Sequence, residues 1–288
     1  MKQINFHTID GIEENGLLYD NNNKEIILSI HGMTSNCFKK RNAIIADKIK
    51  EKFDYYTFNT RGSEIAKNIV KKKDGKIIKE FGGTAFEDVL EGEYDIYGAI
   101  DKLIEMGYTS IYLQGHSLGC TKIVYTYNKM LENNDKRLQY IKGIILLSLV
   151  DIPSALKFFL GDKYDYYVKM ALDKEKDGKE LEIMPPDSFI HPMSVKSFLR
   201  YAFYNKEIDF INIEKDPNLV TLNKIKIPLF MRWGNINELI LEDAKTYSEI
   251  VNKAINNPNK DISYIDGADH SYHGREEELA NQIANFLL

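Results

Sequence analysis

LQGHSLGC, Leu113 to Cys120, places a serine between two glycines at the end of an apolar run. The residues SIYLQ before it are typical of a strand, and CTKIVYTYNKM after it is typical of a helix. A serine on such a strand-to-helix turn takes a strained conformation that only small flanking residues permit. The turn holds the hydroxyl above the sheet, and the first turn of the helix directs backbone N–H groups at developing negative charge. The octet therefore predicts that Ser117 is a nucleophile.

Strand and helix patterns alternate on both sides of this octet. Short apolar runs predict strands at 26–30, 55–59, 110–114, 141–148, 228–233 and 261–265. Apolar residues at helical spacing predict helices at 41–53, 86–106, 118–131, 241–254 and 276–288. Continuous apolar strands separated by helices imply a parallel sheet that is covered on both faces. The sequence thus predicts a doubly wound α/β fold with a mostly parallel sheet.

One long segment, 151–222, interrupts this alternation. It is rich in Phe and Tyr and contains charged loops such as LDKEKDGKELE. A connection of that length inside a compact domain is usually a lid, a binding element or a small subdomain. We therefore expect a helical cap insertion at 151–222 and a core formed by 1–150 and 223–288. Most of the aromatic side chains of the insertion are expected to pack its own core.

Length and composition fit a globular enzyme. The 288 residues suffice for one large domain with a sizeable core. A hydrophobic content of 43%, a charged content of 28% and a net charge of -5 favour neither disorder nor a nucleic-acid-binding surface. The lysine-rich stretch VKKKDGKIIKE (70–80) is balanced by nearby acids and predicts a solvated hairpin or loop. Two cysteines, Cys37 and Cys120, are too few for a disulfide framework or a cysteine-rich zinc site.

The sequence also predicts where the protein is located and which partners it binds. The N-terminal residues MKQINFHTID contain no apolar signal core, and no run of about 18 apolar residues occurs. We therefore expect a cytoplasmic protein with no membrane or nucleic-acid partner. No metal-binding or phosphate-binding motif is present in the sequence, so no metal and no cofactor are expected. The oligomeric state stays open, with a homodimer among the alternatives.

Four motifs together resemble the α/β-hydrolase family of serine hydrolases. The family's nucleophile turn, Gly-His-Ser-x-Gly, matches Gly115 to Gly119, and ILSIHGMTSN (27–36) resembles its His-Gly oxyanion loop. FNTRGS (58–63) resembles its Arg-Gly turn, and GTAFEDVLEGEYDIYGAIDKL (83–103) resembles the helix before the nucleophile strand. The resemblance covers nearly the whole chain and implies the α/β-hydrolase fold. The spacings are similar to those of cinnamoyl- and feruloyl-type esterases and of siderophore-esterase-like hydrolases.

The resemblance also implies roles at the nucleophile. Ser117 would attack an acyl carbonyl, and the backbone N–H groups of Met33 and Leu118 would hold the oxyanion. These two donors need no particular side chain, so the two residues are identified by position only. His31 and His116 lie within the motifs themselves, and we expect both to be structural rather than catalytic.

A serine hydroxyl needs an imidazole to accept its proton. The loop YIDGADHSYHGREEEL (264–279) follows the last strand, where this fold presents its general base. His270, after Gly-Ala-Asp, is the predicted base, and His273 is the alternative. Of the other histidines, His7 is expected to precede the core sheet, and His191 lies in the insertion.

The third member of the triad departs from the family pattern. After the strand PLFMRW, where Gly-x-x-Asp is usual, the chain reads Gly234 to Glu238 as GNINE, so Asn237 stands at the aspartate position. An amide orients the imidazole but supplies no charge, and that loss has cost about 10⁴ in rate in a serine triad. Glu238, one position later and one methylene longer, is the predicted acid. Asp151 at the neighbouring strand end and Asn237 itself are the alternatives, and Asp269 would shape the loop.

The resemblance implies a serine hydrolase that cleaves the carboxylic ester of a small or medium acyl substrate through an acyl-enzyme, beneath the aromatic insertion. Thioesterase, amidase, peptidase and acyltransferase chemistry use the same triad and stay open. A serine at position 117 disfavours haloalkane dehalogenases and epoxide hydrolases, which use aspartate. A non-catalytic ligand-binding member of the fold is the alternative from another class, and Asn237 is its only support.

Overall fold

Strands and helices alternate along the chain in the computed structural model, which describes residues 1–240 and 242–287. The strands are β1 (Lys2–His7), β2 (Glu13–Tyr19), β3 (Glu25–Ile30), β4 (Phe53–Phe58), β5 (Lys67–Lys73), β6 (Lys76–Gly82), β7 (Ser110–His116), β8 (Ile141–Leu147), β9 (Leu229–Ile236) and β10 (Lys260–Asp269). The helices are α1 (Lys40–Ile49), α2 (Gly92–Glu105), α3 (Leu118–Glu132), α4 (Ile152–Leu160), α5 (Tyr164–Lys176), α6 (Val195–Ala202), α7 (Ala244–Ala254) and α8 (Glu276–Leu287).

Eight of these strands form one sheet in the order β1-β2-β4-β3-β7-β8-β9-β10. The pairs β1–β2 and β2–β4 are antiparallel, and every other neighbouring pair in this sheet is parallel. Helices α2, α3 and α7 contribute to the hydrophobic cluster on one face, and α1 and α8 contribute to the cluster on the other. The predicted doubly wound, mostly parallel α/β fold is therefore confirmed.

The continuous apolar strands follow from this double coverage. Ile26 and Leu28 of β3 lie in the cluster with α2 and α3, whereas Ile27 between them lies in the cluster with α1 and α8. In β8, Ile144 and Ile145 divide between the two faces in the same way. Because successive side chains of a strand point to opposite faces, a strand buried on both sides needs apolar residues at every position.

The sheet is larger than the sequence predicts. The hairpin β1–β2 was not expected, because its half-exposed strands contain many polar residues and no apolar run of strand length. His7, expected before the sheet, is the last residue of β1 and pairs with Glu13. Helix α2 begins at Gly92 rather than near Phe86, after a single 3₁₀ turn. Leu241 and Leu288, the ends of two predicted helices, lie outside the described residues.

The lysine-rich stretch forms the second, two-stranded sheet. Strands β5 and β6 pair as an antiparallel hairpin, as the balance of charges along this stretch predicts. Lys71 lies 2.8 Å from Glu80 and 3.3 Å from Asp10, so acids on the hairpin and on the adjacent loop offset its charge.

Helices α4, α5 and α6 lie within the segment 151–222. Their buried side chains form one hydrophobic cluster that also contains Val89 and Leu118. Phe210 and Leu222, near the end of the segment, instead pack into the cluster of the main sheet. The part that packs as a separate helical layer is therefore shorter than 151–222.

The aromatic residues of this segment divide between its interior and its surface. Tyr167, Phe198 and Tyr201 are buried in the cluster, and Tyr164 and Phe189 pack against it. The exposed aromatic residues are Phe158, Phe159, Tyr166, Phe203 and Tyr204. The expectation that most of them pack the segment's own core was thus wrong, since five of the eleven lie at the surface and Phe210 packs into the cluster of the main sheet.

A buried ion pair joins α3 to the loop before α2. Lys122 donates to the Glu87 carboxylate and to Thr60 Oγ1 at 3.3 Å, and the side chains of Lys122 and Glu87 are each 1% exposed. Glu87 Oε2 has no partner among the described residues. Removing one member of such a pair leaves a buried charge uncompensated.

We expect Lys122→Met to lower the free energy of unfolding by about 3–5 kcal/mol, because Glu87 then stays buried without its partner. The double variant Lys122→Met/Glu87→Leu should recover most of that loss, since both charges are removed together. Urea denaturation of the three proteins measures the effect. A single variant as stable as the native protein would show that the pair contributes nothing.

Candidate active site

Ser117 lies on the turn between β7 and α3, with φ 54° and ψ -125°. Its N–H donates to the carbonyl of Leu147 at 2.8 Å, which ties the turn to the end of β8. A Cβ on Gly115 would lie 2.5 Å from Cys120 N, and a Cβ on Gly119 would lie 2.4 Å from Ile30 O. Only glycine fits at both positions, so the two glycines of the motif permit the strained conformation of the serine.

The loop after β3 runs directly beside this turn. A Cβ on Gly32 would lie 2.9 Å from Ser117 Cβ, and Met33 lines the same cavity as Ser117. Thr34 has φ 54°, and its N–H donates to Thr84 Oγ1 at 2.7 Å, which holds the loop in place. The N–H groups of Met33 and Leu118 donate to no protein acceptor among the described residues. They belong to two different elements, the loop after β3 and the first residue of α3.

His270 follows β10 and lines the cavity that Ser117 also lines. Its Nδ1 hydrogen-bonds to Glu238 Oε1. The opposite ring nitrogen, Nε2, is therefore the one available for proton transfer. In the described part of the chain no hydrogen bond joins His270 to Ser117 Oγ, and such bonds are often long before substrate binds.

Four hydrogen bonds fix the Glu238 carboxylate. Oε1 accepts from His270 Nδ1 and from Leu239 N at 3.0 Å, and Oε2 accepts from Ser148 Oγ at 2.7 Å and from Gly234 N at 3.0 Å. Burial raises the pKa of Glu238, but the hydrogen bond and charge of His270, with the donors from Ser148 and Leu239, outweigh it and place the pKa below its usual range. Glu238 is thus a buried carboxylate beside the imidazole.

The structure brings neither alternative acid to His270. Asp151 caps the first turn of α4, where its Oδ1 accepts from Ser154 N at 3.3 Å, and burial raises its pKa. Asn237 has φ 50° and forms the turn that precedes Glu238. The carboxylate that the family pattern places at this turn is therefore supplied by the next residue, Glu238, whose longer side chain reaches the imidazole.

Asp269 shapes the loop, as one of the sequence alternatives proposes. Its carboxylate accepts from Ser271 N at 3.0 Å and from His273 N at 2.9 Å, and it pairs with His273 Nδ1 at 2.7 Å. His273, the alternative base, is exposed and lines the cavity but is held by Asp269 rather than by Glu238.

The two motif histidines have structural contacts. His31 Nε2 accepts from Thr60 N at 3.1 Å, its Nδ1 lies 2.8 Å from Gly32 O, and burial lowers its pKa to about 3. His116 Nε2 donates to the carbonyl of His270 at 2.7 Å. Burial, followed by the charge of Arg41, places the pKa of His116 well below its usual range. Both rings are therefore neutral supports, and His116 holds the loop that carries His270.

Ser148 and Tyr272 support the site but were not found from the sequence. Ser148 directly follows β8 with φ 52°, and its Oγ lies 3.0 Å from Tyr272 Oη and 2.7 Å from Glu238. Tyr272 donates to Arg232 O at 2.8 Å and is fully buried. The only sequence signal for Ser148 is its place at the end of the apolar strand β8, which neighbours the strand β9 that precedes Glu238.

The cavity beside Ser117 has a volume of about 270 Å³ and is lined by the main sheet's loops. Its lining comes from 32–41, 116–117 and 270–276, with no contribution from the described residues of the insertion 151–222. The expectation of an acyl pocket formed by that insertion therefore does not describe this cavity. The insertion instead packs next to the serine, since its cluster contains Leu118 and packs against Met33.

The described residues hold no group of three or more His, Cys, Asp or Glu side chains arranged to bind a metal ion. None of the helices in 1–240 and 242–287 is long and apolar enough to cross a membrane.

Solved structures share the fold of this chain, whereas no protein-family model and no curated protein sequence matches it. Est1E from Butyrivibrio proteoclasticus, solved with ferulic acid, is 16% identical with a TM-score of 0.65, over 98% of this chain and 97% of that one. The α/β hydrolase GrgF from Penicillium sp. sh18 is 14% identical with a TM-score of 0.66, over 99% and 97%. A monoglyceride lipase variant from Saccharomyces cerevisiae is 15% identical with a TM-score of 0.62, over 98% and 92%. The chain therefore has the α/β-hydrolase fold.

Proposed function

We propose that this chain, which has the α/β-hydrolase fold, is a serine hydrolase that cleaves carboxylic esters of small or medium acyl groups. The observation that carries the proposal is the hydrogen bond between His270 Nδ1 and the buried carboxylate of Glu238, beside the cavity that Ser117 lines. A neighbour of the same fold is a monoglyceride lipase, which supports ester hydrolysis at a general level. The substrate would be a small-molecule ester.

In the first half of the reaction, Ser117 Oγ attacks the ester carbonyl carbon while His270 Nε2 takes the hydroxyl proton. Glu238 stabilises the imidazolium that forms, because its carboxylate already accepts the Nδ1 hydrogen bond. The tetrahedral intermediate then collapses, the bond to the alcohol oxygen breaks, and Nε2 returns the proton to that oxygen. An acyl group stays bound to Ser117.

In the second half, a water molecule attacks the acyl carbonyl and gives its proton to His270 Nε2. The bond to Ser117 Oγ breaks as the proton returns to the serine, and the carboxylic acid leaves. In both halves the carbonyl oxygen carries negative charge, for which the N–H groups of Met33 and Leu118 are the donors. Both are backbone groups on elements fixed by the sheet, so they need no reorganisation during the reaction.

Helices α4 to α6 would act as the cap of this site. Their cluster contacts Leu118 and Met33, the two residues that supply the oxyanion donors. A cap in this place would bound the substrate next to these two donors. In this arrangement 1–150 and 223–288 form the hydrolase core.

Thioesterase, amidase and acyltransferase chemistry would use the same three side chains. The non-catalytic alternative depended on Asn237 at the acid position. Since Glu238 takes the place next to His270, that support is lost.

A fluorophosphonate probe tests the proposal. We expect the native protein to be labelled once, on the peptide that contains Ser117, because only an activated serine attacks the phosphorus centre at neutral pH. Mass spectrometry of the digested protein locates the label, and heat-denatured protein is the matched control, since unfolding separates Ser117 from His270. A native protein that stays unlabelled would contradict the serine mechanism.

A further inference from the structure

Three consecutive cations, Lys39 to Arg41, line the cavity beside Ser117. Among the residues that line it, Glu276 is the only carboxylate, and it lies 3.3 Å from Lys40. Within the described chain, neither Lys39 nor Arg41 has a carboxylate oxygen within 4.0 Å. The cavity therefore has two cations without an acidic partner, next to the nucleophile.

Arg41 is the unusual member because it is buried, with 7% of its surface exposed. Its Nη1 donates to the carbonyl of Ser271 at 3.1 Å, while its buried Nε meets no acceptor among the described residues. Burial lowers the pKa of Arg41. An unpaired buried guanidinium is costly, and each orphaned donor in a native protein needs an explanation.

The start of α1 adds to this positive field. Lys39 occupies the N-cap position without a side-chain cap, and the first turn of α1 contains no acidic residue. The free N–H groups and the positive end of the helix dipole favour an anion at such a terminus. Ser, Thr, Asp and Asn are the preferred N-cap residues because their oxygen atoms accept from these N–H groups, whereas here the sequence places three cations.

We infer that this cavity binds a carboxylate of the substrate, so that the preferred esters carry a negative charge close to the scissile bond. Arg41 would bind the carboxylate with its planar, fixed donors, and Lys39 would add a point charge from the exposed side. The inference rests on the proposed function, because it places the charged group relative to Ser117. The carboxylate would belong to either the acyl part or the alcohol part of the ester.

Two pairs of matched esters test this substrate class and separate the two parts. Mono-4-nitrophenyl adipate against methyl 4-nitrophenyl adipate varies the charge on the acyl part, and 4-acetoxybenzoate against methyl 4-acetoxybenzoate varies it on the alcohol part. We expect kcat/KM of the native protein to favour the charged ester about tenfold or more in one pair, and the preference to shrink at high salt. Equal or lower values for the charged ester in both pairs overturn the inference.

Three variants locate the preference. Arg41→Gln should lower the ratio of charged to neutral kcat/KM about tenfold or more, and Lys39→Gln should lower it about threefold, because its charge is exposed to solvent. Lys48→Gln, which removes an exposed cation from the last turn of the same helix, is the matched control and should leave the ratio unchanged. An equal loss for both esters in Arg41→Gln would mean that Arg41 only holds the Ser271 carbonyl, and would overturn the inference. Lys39 is exposed, so its variant keeps the test open if Arg41→Gln does not fold.

Calorimetric titration with adipate separates this inference from the proposed function. We expect saturable binding to the native protein that weakens about tenfold in Arg41→Gln. Hydrolysis of the neutral esters through Ser117, with no charge preference and no adipate binding, would overturn the inference alone. Adipate binding that depends on Arg41, without turnover of any of the four esters, would overturn the proposed function and support the carboxylate site.

Discussion

Ser117→Ala is expected to lower kcat for a short p-nitrophenyl ester by about 10⁶-fold, the size of effect seen when a serine hydrolase loses its nucleophile. The loss is that large because the remaining parts cannot form the acyl-enzyme. His270 would still be held by Glu238, and the N–H groups of Met33 and Leu118 would stay in place. Stopped-flow and steady-state absorbance at the nitrophenolate band measure the rate.

The same variant should stay folded. The N–H of residue 117 donates to Leu147 O through the backbone, and alanine keeps that bond. The Tm of Ser117→Ala should therefore lie within a few degrees of the Tm of the native protein. Ser110→Ala, at the other end of β7, is the matched control and should leave the rate unchanged. More than a hundredth of the native rate in Ser117→Ala would show that another residue is the nucleophile.

The positions of Ser117 and His270, the proposed nucleophile and base, could be predicted from the sequence because each depends on local chain geometry. The turn at Ser117 needs glycine at Gly115 and Gly119, so this spacing, with a strand before it and a helix after it, indicates the turn. His270 lies in the polar loop after the last strand, and the order of strands in this fold specifies that loop. Ser117 and His270 line one cavity in the structure, although no local pattern joins them.

For the proposed acid, the sequence predicted only the strand end from which it comes, not the residue. The motif after β9 identifies a place, but whether Glu238 or Asp151 reaches His270 depends on side-chain length and on the left-handed turn at Asn237. The burial of Arg41 could not be predicted from the sequence either. In sequence it belongs to an ordinary amphipathic helix, and its burial follows from the loop of Ser271 that packs over it.

Several non-glycine residues with positive φ lie around the site, and their conformations could not be read from the sequence. Thr34, Ser117, Ser148, Asn237 and Tyr272 each have φ between 50° and 64°, and each lies in a loop or turn that begins or ends beside the cavity or its acid. A non-glycine residue in this region costs about 1–3 kcal/mol and persists only where the surrounding structure holds it. The strand ends thus hold several strained residues around the cavity and the Glu238 carboxylate.

Glu238→Gln is expected to lower kcat by about 10⁴-fold with little change in KM, because the amide keeps the size of the side chain but cannot stabilise the imidazolium. The pKa of Glu238 lies below its usual range, so the carboxylate is ionised throughout neutral pH. Protonation of Glu238 should therefore cause no change in the native rate from about pH 6 to pH 9, well above the usual carboxyl pKa of about 4.3, and kcat of both proteins at pH 8 measures the effect.

The lowered pKa of Glu238 also makes the stability of the folded protein depend on pH. A carboxylate whose folded pKa is depressed contributes stability above its unfolded pKa and loses it as the pH falls through the folded value. The native protein should therefore exceed Glu238→Gln in Tm at pH 7, and the difference should narrow towards pH 3. Asp151→Asn is the matched control, since Asp151 only caps α4 and its variant should keep kcat within a few fold. If Asp151→Asn loses the activity and Glu238→Gln keeps it, the acid of the triad is Asp151 and the contact between Glu238 and His270 is structural.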